Sequence, residues 1–428
     1  MYRKSKYNIF VKYKNGKTII FNTLSGAIGL FDEETVKRYF ADNLTSKEIN
    51  ILLEKGVLVK DREDEKKRIN SDRISGIVNP KIKHFRIWTT SACNAQCYYC
   101  FEKGIAATSM TARIATDVAD FILESVSDGD KLWLEWFGGE PLLNTSAIDV
   151  IMEKLRTALK IRKCTIRGSI VTNGSLITDE IAIAMKEKWG IQSAQITLDG
   201  YNEDYDKIKN YKNAQYNFSC VIHNIHLLAN CGIDVTIRMN YDVQNFDSLC
   251  RLVKYLHVEF TNNAHIKYYV YPVWSSLDQS FQSKAKADEN LLRIYDYLVE
   301  YKMNTWRKLA RLNYRANQCH ACSTQSFTIF PDGTLGKCSE VYTQKIGDIY
   351  NGVVDNEIFQ YWTKDALDKK CETCIYLPIC QGGCRAYTYS NMEQCFPHKE
   401  IFDRILIWYV DHLCGEESKN EQFSNNEK

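Results

Sequence analysis

Sixteen cysteines in 428 residues, eleven of them in three tight groups, constrain this chain more than any other feature. The first group is Cys93-x3-Cys97-x2-Cys100. The second holds Cys319, Cys322 and Cys338, and the third Cys371, Cys374, Cys380, Cys384 and Cys395. Cys164, Cys220, Cys231, Cys250 and Cys414 stand apart and read as small apolar side chains of the interior. Grouped thiols in a reducing compartment point to metal rather than to disulfides.

The compartment follows from the rest of the chain. The basic start MYRKSKYNIFVKYK runs into alternating polar and apolar residues, without an apolar signal core or a cleavage site. No later apolar run approaches the roughly 20 residues that span a bilayer, so the sequence predicts a cytoplasmic protein that binds no membrane. Lysine plus arginine number 55 against 53 acidic residues, with no block of one sign, which gives no reason to expect nucleic acid.

Residues 1–80 read as a small α+β unit. Asn8–Tyr13 and Thr18–Thr23 alternate as strands about the turn dipeptide Asn15-Gly16. Helices are predicted over Ser25–Phe40 and Ser46–Lys55, the second opened by a Thr45/Glu48 capping box and closed by Gly56 before the strand Val57–Val59. Asp61–Arg73 is a helix or a linker. From residue 81 to 275, six β-rich runs alternate with amphipathic helices such as Ala112–Val126 and Ile148–Leu159. The runs are His84–Thr90, Lys131–Phe137, Arg167–Thr172, Ala194–Leu198, Asp234–Asn240 and His265–Tyr271. That is the pattern of an α/β fold built as a partial (β/α)6 TIM-like barrel, with its chemistry at the strand C-terminal ends. Residues 276–318 form a helical bridge by pattern. Residues 319–400 are rich in cysteine and glycine and too poor in apolar periodicity to hold together without metal. Residues 401–428 give a helix, Ile401–Cys414, and a polar tail expected to be disordered.

The first cysteine group lies at the C-terminal edge of the first barrel strand. Three thiolates on one short loop suit three irons of a four-iron cluster and leave the fourth iron without a protein ligand, whereas a closed zinc site wants four ligands. The triad, with Tyr99 just before its third cysteine, resembles the hallmark of the radical S-adenosylmethionine (SAM) superfamily. The resemblance implies that Cys93, Cys97 and Cys100 hold the catalytic cluster, that SAM chelates its open iron, and that reductive cleavage yields a 5′-deoxyadenosyl radical. Phe137-Gly138-Gly139-Glu140-Pro141 resembles the superfamily's GGE motif beside the SAM methionine moiety. Thr197-Leu198-Asp199-Gly200 resembles its S-L-D-G, with Thr197 at the hydroxyl position. Where relatives carry H-D-x-x-R, this chain reads Tyr205-Asp206-Lys207-Ile208-Lys209. Lys209 or Arg238 is then the candidate partner for the SAM carboxylate, and a plain surface role for Lys209 is the alternative.

The C-terminal spacing G-x4-C, C-x2-C-x5-C-x3-C and a final lone cysteine resembles the SPASM extension of radical SAM enzymes, which implies three four-iron clusters in all. By that precedent Cys319, Cys322, Cys338 and Cys384 hold auxiliary cluster I, and Cys371, Cys374, Cys380 and Cys395 hold cluster II. The short Cys319–Cys322 spacing departs from many relatives and leaves open whether Cys319 is a ligand. A pair of zinc ribbons is the competing reading of this segment. His223 and His226, not at i, i+4 spacing, read as surface or core.

Enzymes of this type include peptide maturases and anaerobic sulfatase-maturating enzymes. Residues 1–80 resemble the winged-helix-like, PqqD-like leader-recognition domain of the former, which implies a ribosomal precursor peptide bound through its leader as an added strand. A regulatory or dimerising module is the other reading of those residues. The resemblance favours thioether formation, with carbon–carbon crosslinking, epimerisation and formylglycine generation as alternatives. It also implies an electron donor such as flavodoxin or ferredoxin. A zinc-stabilised peptide-binding protein is the non-enzymatic alternative.

Overall fold

In the computed structural model, the residues described are all except 243, 274–280, 304–311, 316–318, 366, 387–394, 396–398 and 418–428; the side chains of 281–287 and 413–417 are also outside the description. The described chain divides into two compact units. One comprises residues 1–78, 306–319 and 365–428, the other 79–305 and 320–364.

In the first unit, β1 (Tyr2–Lys4) is followed by β2 (Asn8–Lys12) and β3 (Thr18–Asn22), which pair antiparallel from Asn8↔Asn22 to Lys12↔Thr18. The turn forms because Asn15 and Gly16 both accept positive φ, 56° and 70°. The helix expected from Ser25 starts later. Gly26 sits at φ +76° and Ile28–Phe31 extends as β4 against β3, so α1 spans only Glu33–Phe40 behind an Asp32 cap. α2 (Ser46–Glu54) carries the full Thr45/Glu48 capping box, and β5 (Leu58–Lys60) pairs with β1. The polar run after it is mainly helical, as α3 (Glu65–Val78). Ile20, Tyr39, Leu52, Val57 and Leu58 form the core of this segment.

The second unit is built on a ten-stranded sheet. β6 (Lys83–Thr90), β7 (Lys131–Gly138), β8 (Thr165–Thr172), β9 (Ile191–Thr197), β10 (Asp234–Tyr241) and β11 (Ile266–Pro272) lie side by side in chain order and parallel. All six agree with the strands expected from sequence. Between them run α4 (Ala112–Glu124), α5 (Thr145–Ile161), α6 (Asp179–Ile183), α7 (Glu203–Lys209), α8 (Phe218–Asn230) and α9 (Phe246–Glu259), with α10 (Phe281–Glu300) after β11. Phe85, Ile87, Leu132, Leu134, Ile170, Ile196 and Ile237 are at most 1% exposed, as expected of strands covered on both faces.

A correction concerns residues 320–364. They do not depend on metal alone, because β12 (Phe327–Ile329) pairs parallel with β6, and β13 (Thr334–Gly336), β14 (Lys345–Asp348) and β15 (Gly352–Val353) continue the sheet antiparallel. Here Asp332-Gly333 supplies the hairpin turn, with Gly333 at φ +82°. α11 (Asn356–Thr363) closes this unit.

The chain then returns to the first unit through α12 (Lys369–Glu372), α13 (Leu377–Cys380) and α14 (Phe402–Glu417). Leu377 joins Tyr7, Leu24 and Ile69 in one apolar cluster, and Phe402 lies 5.9 Å from Phe21 between ring centroids. Arg73, 7% exposed, is fixed by Asp365 at 2.6 Å. The N-terminal sheet and the third cysteine group therefore share a core. The disordered tail expected from Gly415 lies, from 418 onward, outside the described residues. Among the described residues no helix is long and apolar enough to cross a membrane.

Candidate active site at the strand C-terminal ends

The loop that leaves β6 carries Cys93, Cys97 and Cys100, all partly shielded. It is pinned from three sides. From β7, the Gly139 and Glu140 N–H groups donate to Thr90 and Ala92 carbonyls at 3.1 and 2.9 Å. From β8, Asn173 Nδ2 donates to Asn94 Oδ1 at 2.8 Å and lies 3.9 Å from Cys93 Sγ. From the end of α7 and the turn after it, Lys209 and Lys212 meet its backbone. The glycines are needed because a Cβ on Gly138 would lie 2.0 Å from Thr90 O, and one on Gly139 2.4 Å from Ala92 O. Their bare backbone thus faces the cysteine loop itself.

Glu140 is fully buried, and its carboxylate is engaged within the protein. It accepts from Thr172 Oγ1 at 2.7 Å, Asn173 N at 2.8 Å and Leu142 N at 3.1 Å, tying β7 to β8, while burial pushes its pKa up to about 6. Tyr99 OH donates to Asp199 Oδ2 at 2.6 Å, and Lys209 Nζ reaches the same oxygen at 2.8 Å. The surface alternative for Lys209 is overturned, because the residue is 3% exposed. Burial works against its charge, but Asp199 and Tyr99 more than compensate and hold it well above the ordinary lysine range. Thr197 and Arg238 are register partners on β9 and β10. Arg238 Nε donates to Asn240 Oδ1 at 2.8 Å, and its guanidinium lies over the Tyr271 ring at 4.4 Å.

Three thiols on this loop are expensive to ionise in a bare protein. Burial pushes Cys93 up to about 12 and Cys100 to about 11, and raises Cys97 as well. A cationic inorganic group reverses that penalty. Among the described residues no three His, Cys, Asp or Glu side chains are set to hold a metal ion. A cluster joins thiolates through its own irons and sulfides, and so tolerates wider spacing than one ion does. Asp199 Oδ1 and Glu102 Oε2 are buried acceptors with no donor among the described residues, which fits a site completed by a bound group. Cys93, Cys97 and Cys100 are the residues that would hold a four-iron cluster here.

Sequence reading missed Asp199, Asn94, Asn173 and Lys212 as members of this network, and Ser175, whose Oγ accepts from Asn94 Nδ2 at 2.9 Å. The Thr172-Asn173-Gly174-Ser175 turn at the end of the third barrel strand was the available signal.

The third cysteine group is drawn together in the first unit. Burial raises Cys371, which also feels Cys374 and Cys395; burial pushes Cys380 up to about 11, and Cys371 and Cys374 raise it further. These four are the ones expected for cluster II. Cys384 and Cys319 are exposed in the same unit. In the second unit, Cys322 is buried and Cys338 partly so; Lys337, fully buried between them in sequence, donates to Ser323 and Ser326 carbonyls. His226 bonds Glu259 at 2.6 Å, an ordinary helix-to-helix contact.

Comparison with known proteins agrees with this geometry. Residues 88–256 match the family model of the radical SAM superfamily. The radical SAM cyclopropyl synthase TigE of Paramaledivibacter caminithermalis is 22% identical over 94% of this chain and 95% of its own. The serine-type anaerobic sulfatase-maturating enzyme of Klebsiella aerogenes is 22% identical over 74% of this chain and 83% of its own. The fold is shared with native anSMEcpe bound to AdoMet, at TM-score 0.61 and 15% identity over 79% of this chain and all of that one. It is also shared with Streptococcus suis SuiB bound to precursor peptide SuiA, at TM-score 0.53 and 16% identity over 92% and 98%. With a cysteine triad at the end of the first barrel strand and a family match that spans it, residues 88–256 of this chain carry a radical SAM superfamily domain.

Proposed function

We propose that this enzyme is a peptide maturase that forms a new bond at an unactivated carbon of a ribosomally made precursor peptide. The observation that carries the reading is the extent of the likeness. TigE and SuiB match over 94% and 92% of this chain, which leaves too few residues outside the match to exclude the first 80, whereas the sulfatase-maturating enzyme matches over 74%. A segment beyond the barrel and the cysteine-rich region is therefore shared with the cyclopropyl synthase and with a protein that binds a precursor peptide.

Bound at Cys93, Cys97 and Cys100, a four-iron cluster with SAM would supply a 5′-deoxyadenosyl radical. The chain's own part is positional. Tyr99, Asp199 and Lys209 fix the cysteine loop, Gly138 and Gly139 let β7 close on it, and Thr197 and Arg238 offer a hydroxyl and a guanidinium for cofactor or substrate at the neighbouring strand ends. Eight C-terminal cysteines provide for two auxiliary clusters, to which a flavodoxin- or ferredoxin-type donor would deliver electrons. β4, which among the described residues pairs only with β3 and has Leu30 40% exposed, offers an edge to which a leader peptide can add as a strand.

Two bonds compete. A thioether, joining a substrate cysteine to carbon, is the reading that the cysteine-rich extension suggests. Carbon–carbon closure is favoured by the near full-length relationship to a cyclopropyl synthase, and it now carries the greater weight. Anaerobic incubation with a cognate precursor peptide, SAM and dithionite should give a product lighter by a pair of hydrogens per bond. Carbon–carbon closure leaves every peptide cysteine open to alkylation; a thioether blocks one. Unchanged peptide mass with vigorous SAM cleavage on every precursor tried would reject bond formation, and solvent deuterium gained at an α-carbon would identify epimerisation in its place.

A further inference from the structure

The inner side of the cysteine loop is braced by one short segment, the C-terminus of α7 and the turn after it. Gln96 N–H donates to Lys209 O at 2.9 Å, and Cys97 Sγ lies 3.9 Å from that oxygen. Lys212 returns the contact: its N–H donates to Asn94 O at 2.9 Å, and its Nζ to Cys93 O at 2.8 Å. Asn210, at φ 47°, turns the chain sharply enough for both residues to reach the loop.

Beneath this backbone brace sits a buried polar triad. Lys209 Nζ is 2.8 Å from Asp199 Oδ2 and 3.2 Å from Tyr99 OH, and Tyr99 OH donates to the same carboxylate at 2.6 Å. Asp199 is 0% exposed, and its carbonyl is held by Asn245 Nδ2 at 2.7 Å, so the triad is anchored on β9 and on the loop after β10. The ammonium also lies within 6 Å of the Tyr99 and Tyr205 ring centres. A lysine so engaged already has a carboxylate partner. A SAM carboxylate at the same nitrogen would crowd two like charges in a site closed to water. The ammonium also lies 3.2 Å from the hydroxyl of Tyr99, the residue just before Cys100, which sets its charge beside the cluster-binding loop.

We propose that Lys209, with Asp199 and Tyr99, is a positioning clamp for the cluster-binding loop, and that its ammonium raises the reduction potential of the cluster held there instead of binding the SAM carboxylate. The inference rests on the radical SAM reading of Cys93, Cys97 and Cys100. Potentials of iron–sulfur clusters follow local charge and hydrogen bonding, so removing a buried cation beside the loop that holds the cluster moves the potential down. The clamp also explains why lysine serves where a bidentate arginine would be the better carboxylate receptor.

The test uses the reconstituted full-length protein and two readouts independent of turnover: the midpoint potential of the SAM-perturbed cluster by redox-poised electron paramagnetic resonance, and the equilibrium affinity for SAM. Lys209→Met should shift that potential negative and leave the SAM dissociation constant within about threefold. Lys209→Arg should restore most of the potential. Tyr99→Phe, which keeps every charge, should hold the potential near wild type but broaden the signal as the loop loosens. An unchanged potential in Lys209→Met overturns the inference. So does a loss of SAM affinity of about tenfold or more at constant potential, because that would make Lys209 the carboxylate ligand. Should Lys209→Met hold no cluster, Tyr99→Phe decides, and a signal identical to wild type overturns the clamp. Absence of any SAM-perturbed cluster in the wild-type protein would instead defeat the radical SAM reading itself.

Discussion

Replacing Gly139 by alanine tests how the active-site loop is held. Its φ is not in the left-handed region, so alanine suits the backbone and the whole effect is steric. The added Cβ would stand 2.4 Å from Ala92 O, 2.7 Å from Ala92 C and 2.8 Å from Ser91 O. An ordinary contact needs roughly 3.4 Å or more, so the end of β7 and the cysteine loop must part by about 1 Å. That opening stretches two backbone hydrogen bonds, Gly139 N to Thr90 O and Glu140 N to Ala92 O, at 3.1 and 2.9 Å. Each is worth about 1 kcal/mol net and more when a buried donor is stranded, so the cost is about 2–4 kcal/mol. Against a typical total of about 5–15 kcal/mol the protein still folds, but with the loop displaced. Urea unfolding and iron analysis would read this: lowered stability, and loss of about four irons belonging to one cluster. The control is Gly129→Ala, where φ is +81° but nothing lies within 4 Å, and which should cost only about 1 kcal/mol and no iron. Full iron content in Gly139→Ala, with stability within about 1 kcal/mol of wild type, would refute the tight-approach argument.

Three further outcomes can be measured on the same material. Substituting Cys93, Cys97 and Cys100 together by alanine should remove one cluster and abolish 5′-deoxyadenosine formation; cleavage that survives would place SAM elsewhere. Asp365→Ala should strand Arg73, whose side chain is 8% exposed, and destabilise the first unit by about 3 kcal/mol in chemical denaturation; a change below about 1 kcal/mol would show that Arg73 finds another partner. Glu48 is held down at about 2, against an ordinary 4.5, first by its hydrogen bond to Arg38 and then by the Thr45 cap. A depressed carboxyl contributes stability that is complete above 4.5 and is lost as pH falls toward about 2. The acid unfolding of this unit should therefore steepen in that window, and Glu48→Gln should flatten it; equal acid sensitivity in both would remove Glu48 from the account.

What could be seen in the sequence was whatever carries a short-range period. The six barrel strands repeat apolar residues over runs of seven to eight and are separated by helices with polar faces, so their existence and order were legible. The cysteine triad and the Thr45 capping box are local too. The losses all involve pairing or packing partners outside the element's own sequence. β4 hides behind a plausible helix because Gly26 and a strand partner in β3, rather than its own pattern, decide its conformation. The β12–β15 extension comprises strands of two to four residues, too short to show alternation, and they persist because β6 supplies an edge more than 200 residues upstream. The third cysteine group looked like an autonomous metal-stapled segment, yet Leu377 packs on Tyr7 and Ile69, and Thr23 Oγ1 donates to Ile375 O at 2.6 Å. This last contact changes how leader recognition should be tested. Deleting the first 80 residues would expose the core that the third cysteine group shares, so lost peptide turnover could reflect a lost cluster. A point change on the β4 edge, unpaired among the described residues, avoids this. Leu30→Glu alters a residue 40% exposed, leaves the Tyr7 cluster intact, and should weaken binding of a leader peptide while iron content and SAM cleavage stay at wild-type values. Leader affinity unchanged by Leu30→Glu would move recognition off the β4 edge.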